Sequence, residues 1–417
     1  MNANVPLVCL ITPGHLSSTP RLVKNADALL EAGYRVHVIA GRTFRPADPL
    51  DAQILSAAQW QRTMVDGRAG AGVAARKLLR RLARKLIQWA PFASPRLAAR
   101  AQHAEVAHLL AAAARVPADF YFGHSLAGLP VAAFAASARG VKYGFDAEDF
   151  HDAETEEALA DAAERIARRV LQAGLLPGCA LFTAASPLIA RKFAETYQVE
   201  PTTILNVFPL AQAPRSPPTP GPITSERPAA IYWFSQTIGP GRGLESAVAV
   251  LGRMKTPVQL RLRGFASADY VAHLQHAAAN AGHRHPISFL PAGPAAEMVR
   301  LAAEADLGLS IEESRPLNRD LCLTNKIFVY LLAGLPQLLS RTTAQTALAA
   351  ELGAAALLGD LSNPDETARL LDEFLLDPAR IAAARKTAWD LARRRFCWDI
   401  EKDILLKSVR AIVGPPA

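Results

Sequence analysis

Two polar side chains at the start of a predicted helix are the strongest chemical feature of this sequence. Asn325 and Lys326 follow a polar loop after the predicted strand 305–311, and the helix that they open ends before Gly334. An amide and an ammonium beside the unpaired N–H groups of a helix start form a natural site for an anion. An ordinary loop–helix–strand unit of an α/β domain explains the same residues, so the segment alone leaves both interpretations open.

A glycine-rich turn supplies a second candidate anion site. It follows the predicted strand 231–234 and precedes a helix predicted from about Leu244; its candidate ligand-binding residues are Ser235, Gln236, Gly241, Arg242 and Gly243. Glycines let backbone amides approach an oxyanion, and the guanidinium of Arg242 can donate two parallel hydrogen bonds. A turn with no ligand is the alternative.

Polar residues also follow predicted strands in the first half of the chain. The strands 7–12, 119–123 and 141–146 end close to residues that could face a ligand: Gly14, His15, Arg21, His124, Asp146 and Glu148. A histidine at such a position can face a ligand, but it can also cap the following helix or lie in the core. The sequence leaves both interpretations of His124 open.

The elements that would position these residues alternate between strand and helix, which is typical of parallel α/β sheets. The alternation stops in a proline-rich stretch and then restarts. We therefore predict an N-terminal Rossmann-like domain over 1–207, a semi-stiff linker over 208–229, a C-terminal Rossmann-like domain over 230–390 and a final helical segment over 391–417.

Composition limits the classes of protein that fit. The chain has 417 residues, half of them hydrophobic, four cysteines without a C-x-x-C pair, and no apolar run near the roughly 20 residues that span a bilayer. These features predict a cytosolic protein without a cysteine-based metal site. Four histidines, at 273, 276, 283 and 285, and the acidic run 146–149 are weaker candidates for metal binding.

The net charge of +8 is concentrated between Asp66 and Glu105, where the chain has no acidic residue. Leucines at helical spacing and Trp89 accompany the arginines and lysines of residues 76–89. This pattern predicts a basic amphipathic helix that contacts an anionic membrane, a solvated helix face packed on the domain, or a basic surface that steers an anionic substrate. No aromatic-rich sheet accompanies the charge, so nucleic acid is not an expected partner.

Taken together, these segments resemble those of GT-B glycosyltransferases, especially the retaining GT4-like family. The resemblance covers nearly the whole chain and is weakest between about Phe44 and Arg115. It implies two Rossmann-like domains facing across a cleft, with a C-terminal helix that crosses back to the first domain. It also implies transfer of a hexose-like sugar, with retention, from a nucleoside-diphosphate sugar to a glycan, glycolipid or other acceptor, typical of bacterial polysaccharide biosynthesis.

The resemblance assigns roles to the candidate residues. Arg242 and Lys326 would stabilise the departing diphosphate, which makes a metal or other cofactor unnecessary, and His124 would orient the sugar. The donor-binding set would be Gly14, Ser235, Gln236, Gly241, Arg242, Gly243, Asn325 and Lys326. The acceptor side would comprise His15, Arg21, Asp146 and Glu148.

One departure from the family pattern leaves alternatives open. Two glutamates spaced by seven residues are common in the family, and here Leu321 and Val329 occupy those positions. A degenerate GT-B protein that binds a glycan or a partner without catalysis is therefore one alternative. A GT-B epimerase acting on a nucleotide sugar is the other.

Overall fold

A computed structural model describes residues 5–68, 72–89, 94–156, 161–219, 221–282 and 286–416. The chain divides into two compact units, each with its own parallel sheet. The first unit comprises Met1–Ile204 and Lys402–Ala417, and the second comprises Leu205–Glu401. The last helix, Trp398–Val413, therefore begins with residues of the second unit and continues with residues of the first.

In the described part of the first unit, seven parallel strands form one sheet. They are β1 (Leu7–Thr12), β2 (Arg35–Arg42), β3 (Gln61–Asp66), β4 (Phe120–His124), β5 (Lys142–Ala147), β6 (Leu181–Ala184) and β7 (Thr202–Thr203). The spatial order is β3-β2-β1-β4-β5-β6-β7. Because chain order reverses on the two sides of β1, the carboxyl ends of β1 and β4 lie side by side, where sheets of this kind bind ligands.

The helices of the first unit connect these strands. They are α1 (Pro20–Glu31), α2 (Asp48–Ala57), α3 (Val73–Trp89), α4 (Pro95–Gln102), α5 (Val106–Ala114), α6 (Gly128–Arg139), α7 (Ala162–Leu175) and α8 (Pro187–Tyr197). Side chains of Ser94, Asp161 and Ser186 accept backbone N–H bonds at the starts of α4, α7 and α8. The central strands β1 and β4 are buried along their full length, as expected for strands whose two faces are both covered.

The second unit repeats the same topology with, among its described residues, six parallel strands. They are β8 (Ala229–Ile238), β9 (Val258–Ala266), β10 (Ile287–Leu290), β11 (Leu307–Ser310), β12 (Gln337–Ser340) and β13 (Ala356–Gly359). Their order is β10-β9-β8-β11-β12-β13, so β8 and β11 flank the point where chain order reverses. The carboxyl ends of these two strands are the expected ligand-binding edge of this sheet.

Helices of the second unit connect its strands. They are α9 (Leu244–Leu251), α10 (Ala268–Asn280), α11 (Met298–Ala303), α12 (Leu317–Leu321), α13 (Asn325–Leu332), α14 (Thr343–Leu352), α15 (Pro364–Leu375), α16 (Pro378–Arg394) and the start of α17 (Trp398–Val413). One apolar core joins the strands β8, β9 and β11 to helices α9, α10 and α15, with Trp233 and Ile311 fully buried in it. Two parallel α/β units confirm the predicted fold class.

The proline-rich segment forms little regular structure. Its described residues between 208 and 228 contain one short 3-10 helix, Leu210–Gln212, as expected where proline prevents helix and strand pairing. No helix within the described ranges is long and apolar enough to cross a membrane.

Candidate functional site

The glycine-rich turn of the second unit follows β8, but that strand is longer than predicted. Ser235 and Gln236 were expected to begin the loop, whereas β8 continues to Ile238 with a shift in its pairing to β9 between Phe234 and Thr237. Ser235 and Gln236 therefore form a β-bulge, which bends the strand and changes the direction of its end. Gly264 on β9 permits it, because a Cβ atom at this position would lie 2.4 Å from the Ser235 carbonyl oxygen.

The turn itself requires glycine at two positions. Gly241 and Gly243 have φ angles of +67° and +71°, which side chains disfavour, and Gly243 precedes the first residue of α9. The N–H groups of the first turn of α9 have no side-chain cap from Gly243, which leaves them available to an anion. Arg242, between the two glycines, is partly exposed and has no acidic partner among the described residues.

A second arginine lies against this turn, and the sequence analysis missed it. The Nη1 and Nη2 atoms of Arg319, in α12, lie 3.7 and 3.8 Å from the position of a Cβ atom on Gly241. Nη1 is buried and has no hydrogen-bond partner in the described structure. Two arginines at one glycine turn, with no acidic partner among the described residues, make this turn a candidate site for an anion.

Lys326 differs from both arginines because it is already paired. Its Nζ atom donates to Glu312 Oε1 at 2.9 Å, both side chains are buried, and Nζ lies 5.5 Å from the ring centroid of Trp233. Glu312 follows β11, and its backbone N–H donates to Ser340 Oγ at 2.8 Å. The ammonium of Lys326, which was predicted to neutralise a diphosphate together with Arg242, thus shares its charge with the carboxylate of Glu312.

The other predicted residues at the carboxyl edge of the second sheet lie in or next to helices α12 and α13. Asn325 is the first residue of α13, and the hydroxyl of Thr324 before it is buried without a partner and does not cap the helix. Val329 is fully buried in the same helix and Leu321 is buried in α12. The two positions where the family often has glutamate therefore contribute apolar side chains to the core.

At the carboxyl edge of the sheet in the first unit, the charged side chains of Arg21 and Asp146 form a buried ion pair. Arg21 donates from Nε to Asp146 Oδ2 at 2.6 Å and from Nη2 to Oδ1 at 2.8 Å, and Thr183 also donates to Oδ1. Burial alone would raise the pKa of Asp146, but Arg21 and His124 together hold it well below its usual range. Asp146 is thus an ionised carboxylate whose two oxygens are both engaged by protein donors.

His124 lies at the end of β4 beside this pair. Its Nδ1 atom is 3.1 Å from Asp146 Oδ2, at an angle outside hydrogen-bond geometry, and Nε2 has no partner among the described residues. The ring is fully buried, and α6 begins after Ala127 without a side-chain cap, so His124 does not cap that helix. Ser125, the next residue, has φ of +58°, an uncommon backbone conformation for serine. Contact of His124 with a sugar stays a prediction.

His15 was predicted on the acceptor side, and in the structure both nitrogens of its ring form hydrogen bonds within the protein. Nε2 accepts the backbone N–H groups of Thr43 and Phe44 at 2.9 and 2.8 Å, so Nδ1 carries the proton and donates to Asp51 at 2.7 Å. Asp51 also accepts from Ser17, both from N–H and from Oγ. With both ring nitrogens engaged and the side chain buried, the geometry favours an anchor for the loop after β1 over a contact with an acceptor.

Two other predicted residues near this edge have simpler surroundings. The N–H of Gly14 donates to Thr12 Oγ1 at 3.2 Å, and a Cβ atom on Gly14 would meet only ordinary contacts. Glu148 is half-buried, and the partial loss of contact with solvent, together with the charges of Asp146 and Asp149, raises its pKa to about 7. A carboxyl group that titrates near neutral pH at a strand end is a candidate for proton transfer.

Within the residues that the structure describes, no three His, Cys, Asp or Glu side chains are grouped to hold a metal. His283 and His285, two of the four histidines considered for zinc, lie outside the described residues. The acidic run 146–149 was a candidate for metal binding. In the structure, both carboxylate oxygens of Asp146 accept hydrogen bonds from Arg21.

Comparison with known proteins gives a fold but no sequence relative. No protein-family model matches the chain, and no curated protein matches it by sequence. Among solved structures, HepE of Anabaena in complex with UDP-glucose aligns with a TM-score of 0.70 and 16% identity, over 97% of this chain and 99% of that one. Sucrose-phosphate synthase of Thermosynechococcus elongatus aligns with a TM-score of 0.69 and 13% identity, over 97% and 98%.

The chain has the GT-B fold. A putative UDP-N-acetylglucosamine 2-epimerase from Listeria monocytogenes also aligns, with a TM-score of 0.55 and 11% identity, over 98% of this chain and 96% of that one. A sucrose-phosphate synthase and a protein described as a putative epimerase therefore share the architecture, and at these identities the similarity establishes the fold alone. Activity has to be argued from the residues at the two strand edges of this GT-B protein.

The GT-B fold explains which predicted residues come together. In the second unit, the turn at Gly241 and the start of α13 follow the two strands that flank the reversal of chain order. Arg319 joins the turn through the short helix α12, a contact that only the fold reveals. A signal for Arg319 was present, since it is a basic residue in the polar loop after β11, but helix spacing could not distinguish it from a solvated arginine.

Proposed function

We propose that this GT-B protein is a glycosyltransferase whose second unit binds a nucleoside-diphosphate sugar at the turn 239–243. The observation that carries the proposal is the pair of arginines, Arg242 and Arg319, beside a glycine turn and the uncapped start of α9. Neither has an acidic partner in the described structure. HepE, which shares this fold, has been crystallised with UDP and with UDP-glucose, which supports a donor of this class.

The chemistry that such a site supplies is stabilisation of a leaving group. During transfer, the bond between the anomeric carbon and the diphosphate oxygen breaks, and the acceptor hydroxyl oxygen bonds to that carbon. Negative charge develops on the diphosphate, and fixed donors already in place lower the free energy of that state. We assign this role to Arg242, Arg319 and the N–H groups of α9, with Lys326 as a donor that remains bonded to Glu312.

The finer parts of the proposal concern stereochemistry, metal and acceptor. We propose a retaining reaction without a metal ion, in which a diphosphate oxygen receives the proton of the acceptor hydroxyl. The first unit would contribute Glu148 to the acceptor and His124, through its place beside Asp146, to the orientation of the sugar. The acceptor would be a hydroxyl of a glycan or a lipid-linked glycan.

The test is consumption of a donor. The protein is incubated with a panel of nucleoside-diphosphate sugars, and release of the nucleoside diphosphate is followed with and without excess EDTA. We expect at least one donor to be hydrolysed slowly in the absence of an acceptor, at a rate that EDTA leaves unchanged. An isomerised nucleotide sugar without diphosphate release would indicate an epimerase instead. Binding without turnover would indicate a degenerate binding protein, and loss of activity in EDTA with rescue by Mn²⁺ would contradict the metal-free mechanism.

A further inference from the structure

Helix α3 is oriented opposite to what its sequence pattern suggests for a soluble protein. A surface helix ordinarily buries its leucines and exposes its arginines. Here the leucines at 78, 79, 82 and 86 are 48–59% exposed and Trp89 is 85% exposed. Of the ten large apolar side chains that are exposed among the described residues, these are five. Large apolar side chains concentrated on one exposed surface mark a contact with another molecule.

Arginines occupy the buried side of the same helix and fix its orientation. Arg76 pairs with Glu105 at 3.0 Å, Arg80 donates to the carbonyl of Ala101 at 3.2 Å, and Arg84 pairs with Asp161 at 2.8 Å. Ala83 and Ile87 fill the rest of the buried side, and α3 packs against α4 and α7. The two ion pairs anchor the helix with its leucines outward, so the exposed leucines are a property of the folded unit.

The exposed half of α3 is divided into an apolar and a basic stripe. With about 3.6 residues per turn, Leu78, Leu82, Leu86 and Trp89 share one side, while Lys77, Arg81 and Lys85 line its flank. All three basic residues are exposed. Basic residues that flank a stripe of leucine and tryptophan are the arrangement of helices that lie in the interface of an anionic bilayer.

We infer that this outward face of α3 docks on an anionic lipid surface. The apolar stripe would enter the boundary between headgroups and acyl chains, and the basic flank would contact phosphate groups. Charge complementarity selects this occupant over an apolar protein groove, because three cations at the rim of a protein interface would need acidic partners. The inference goes beyond the proposed activity and does not depend on it, since it rests on α3 alone.

Co-sedimentation with vesicles tests the docking. The full chain is mixed with vesicles of phosphatidylcholine alone or of phosphatidylcholine with phosphatidylglycerol, at low and at high salt. We expect sedimentation with the anionic vesicles at low salt and release at high salt, because screening weakens the attraction to the surface. A shift of tryptophan emission to shorter wavelength should accompany binding and disappear in Trp89→Phe, since Trp89 is the most exposed of the five tryptophans.

Two sets of substitutions test the contributions of the basic stripe and the apolar stripe separately. Replacing Lys77, Arg81 and Lys85 by Glu should lower partition into anionic vesicles by about a hundredfold. Replacing Leu78, Leu82 and Leu86 by Ser should lower it to a similar extent. The matched control replaces three exposed basic residues elsewhere in the first unit, Arg191, Lys407 and Arg410, by Glu and should bind like the wild type.

Several outcomes would overturn the inference. Wild-type protein that ignores anionic vesicles at low salt would refute it, and so would a leucine set that binds as well as the wild type. A dimer in solution that the leucine set abolishes would show that a second copy covers this face. Donor hydrolysis is measured in parallel: all variants should retain it, so failure to dock and failure of the proposed activity remain distinguishable.

Discussion

The carboxyl edges of the two sheets have the same topology but use charge in opposite ways. In the first unit, Arg21 and Asp146 neutralise each other in the interior, and His15 is held by Asp51. In the second unit, Arg242 and Arg319 lie beside a glycine turn without acidic partners among the described residues. At the first edge the buried charges of Arg21 and Asp146 are satisfied by the fold, whereas the second edge leaves cations available to a ligand.

This contrast distinguishes basic residues that stabilise the fold from basic residues that can bind a ligand. A buried pair stabilises a structure only while both partners are present, because one charge left alone in the interior is costly. An unpaired arginine at a partly exposed turn contributes little to folding and can interact with an anion. Lys326 lies between these cases, since it is at the ligand edge of the second unit and yet buried against Glu312.

The largest expected effect is on the ion pair of the first unit. Arg21→Ala removes the two hydrogen bonds that the guanidinium donates to Asp146 and leaves that carboxylate buried without a positive partner. We therefore expect the free energy of unfolding to fall by about 3–5 kcal/mol. Urea-induced unfolding followed by circular dichroism measures it. The double variant Arg21→Met, Asp146→Leu removes both charges and should recover most of the loss. A single variant within about 1 kcal/mol of the wild type would show that the pair is not a folding element.

A somewhat smaller loss of stability is expected at Lys326. Lys326→Met leaves the carboxylate of Glu312 buried and unpaired, and we expect a loss of about 3 kcal/mol, the lower end for buried pairs, because one hydrogen bond joins the two. The same urea unfolding measurement applies, with Arg242→Ala as the control that should unfold like the wild type. If Lys326→Met loses turnover but no stability, Lys326 serves ligand binding like Arg242 and Arg319, and its pair with Glu312 does not stabilise the fold.

The smallest effect concerns Glu148 and depends on pH. Its pKa is raised from 4.5 to about 7 in the folded protein, so the folded state binds the proton more tightly than the unfolded state does. The protonated group contributes stability below pH 4.5, and that contribution is lost as the pH rises to about 7. Glu148→Gln should therefore gain in melting temperature relative to the wild type across this range. A difference that does not change with pH would contradict the raised pKa.

Much of the fold follows from sequence patterns because it depends on local signals. The strand 7–12 was predicted with the bounds that the structure has, and the strands predicted over 119–123 and 141–146 differ from β4 and β5 by one residue at each end, since apolar runs mark all three. The bulge at Ser235 was missed, because the register of β8 is set by β9 and Gly264, which lie outside the local pattern.

The contacts of charged side chains were harder to predict than the elements that carry them. The pairing of Lys326 with Glu312 joins residues 14 positions apart through the adjacency of β11 and α13. The approach of Arg319 to Gly241 requires the order of β8 and β11 in the sheet. On α3, the helical pattern was predicted, but only the acidic partners Glu105 and Asp161, each just before the start of a neighbouring helix, show that Arg76 and Arg84 point inward.

We infer that the turn at Gly241 binds a diphosphate through Arg242 and Arg319. Equilibrium binding of a panel of nucleoside diphosphates to the wild type, Arg242→Ala, Arg319→Ala and the exposed control Arg253→Ala, by calorimetry in the presence of EDTA, tests it most directly. We expect at least one nucleoside diphosphate to bind the wild type and the control alike. Each of the other two variants should bind it at least about tenfold more weakly, the loss expected when a charged donor is removed, with an unchanged melting temperature. Equal affinity in all four proteins, or no binding of any nucleoside diphosphate to the wild type, would contradict the account.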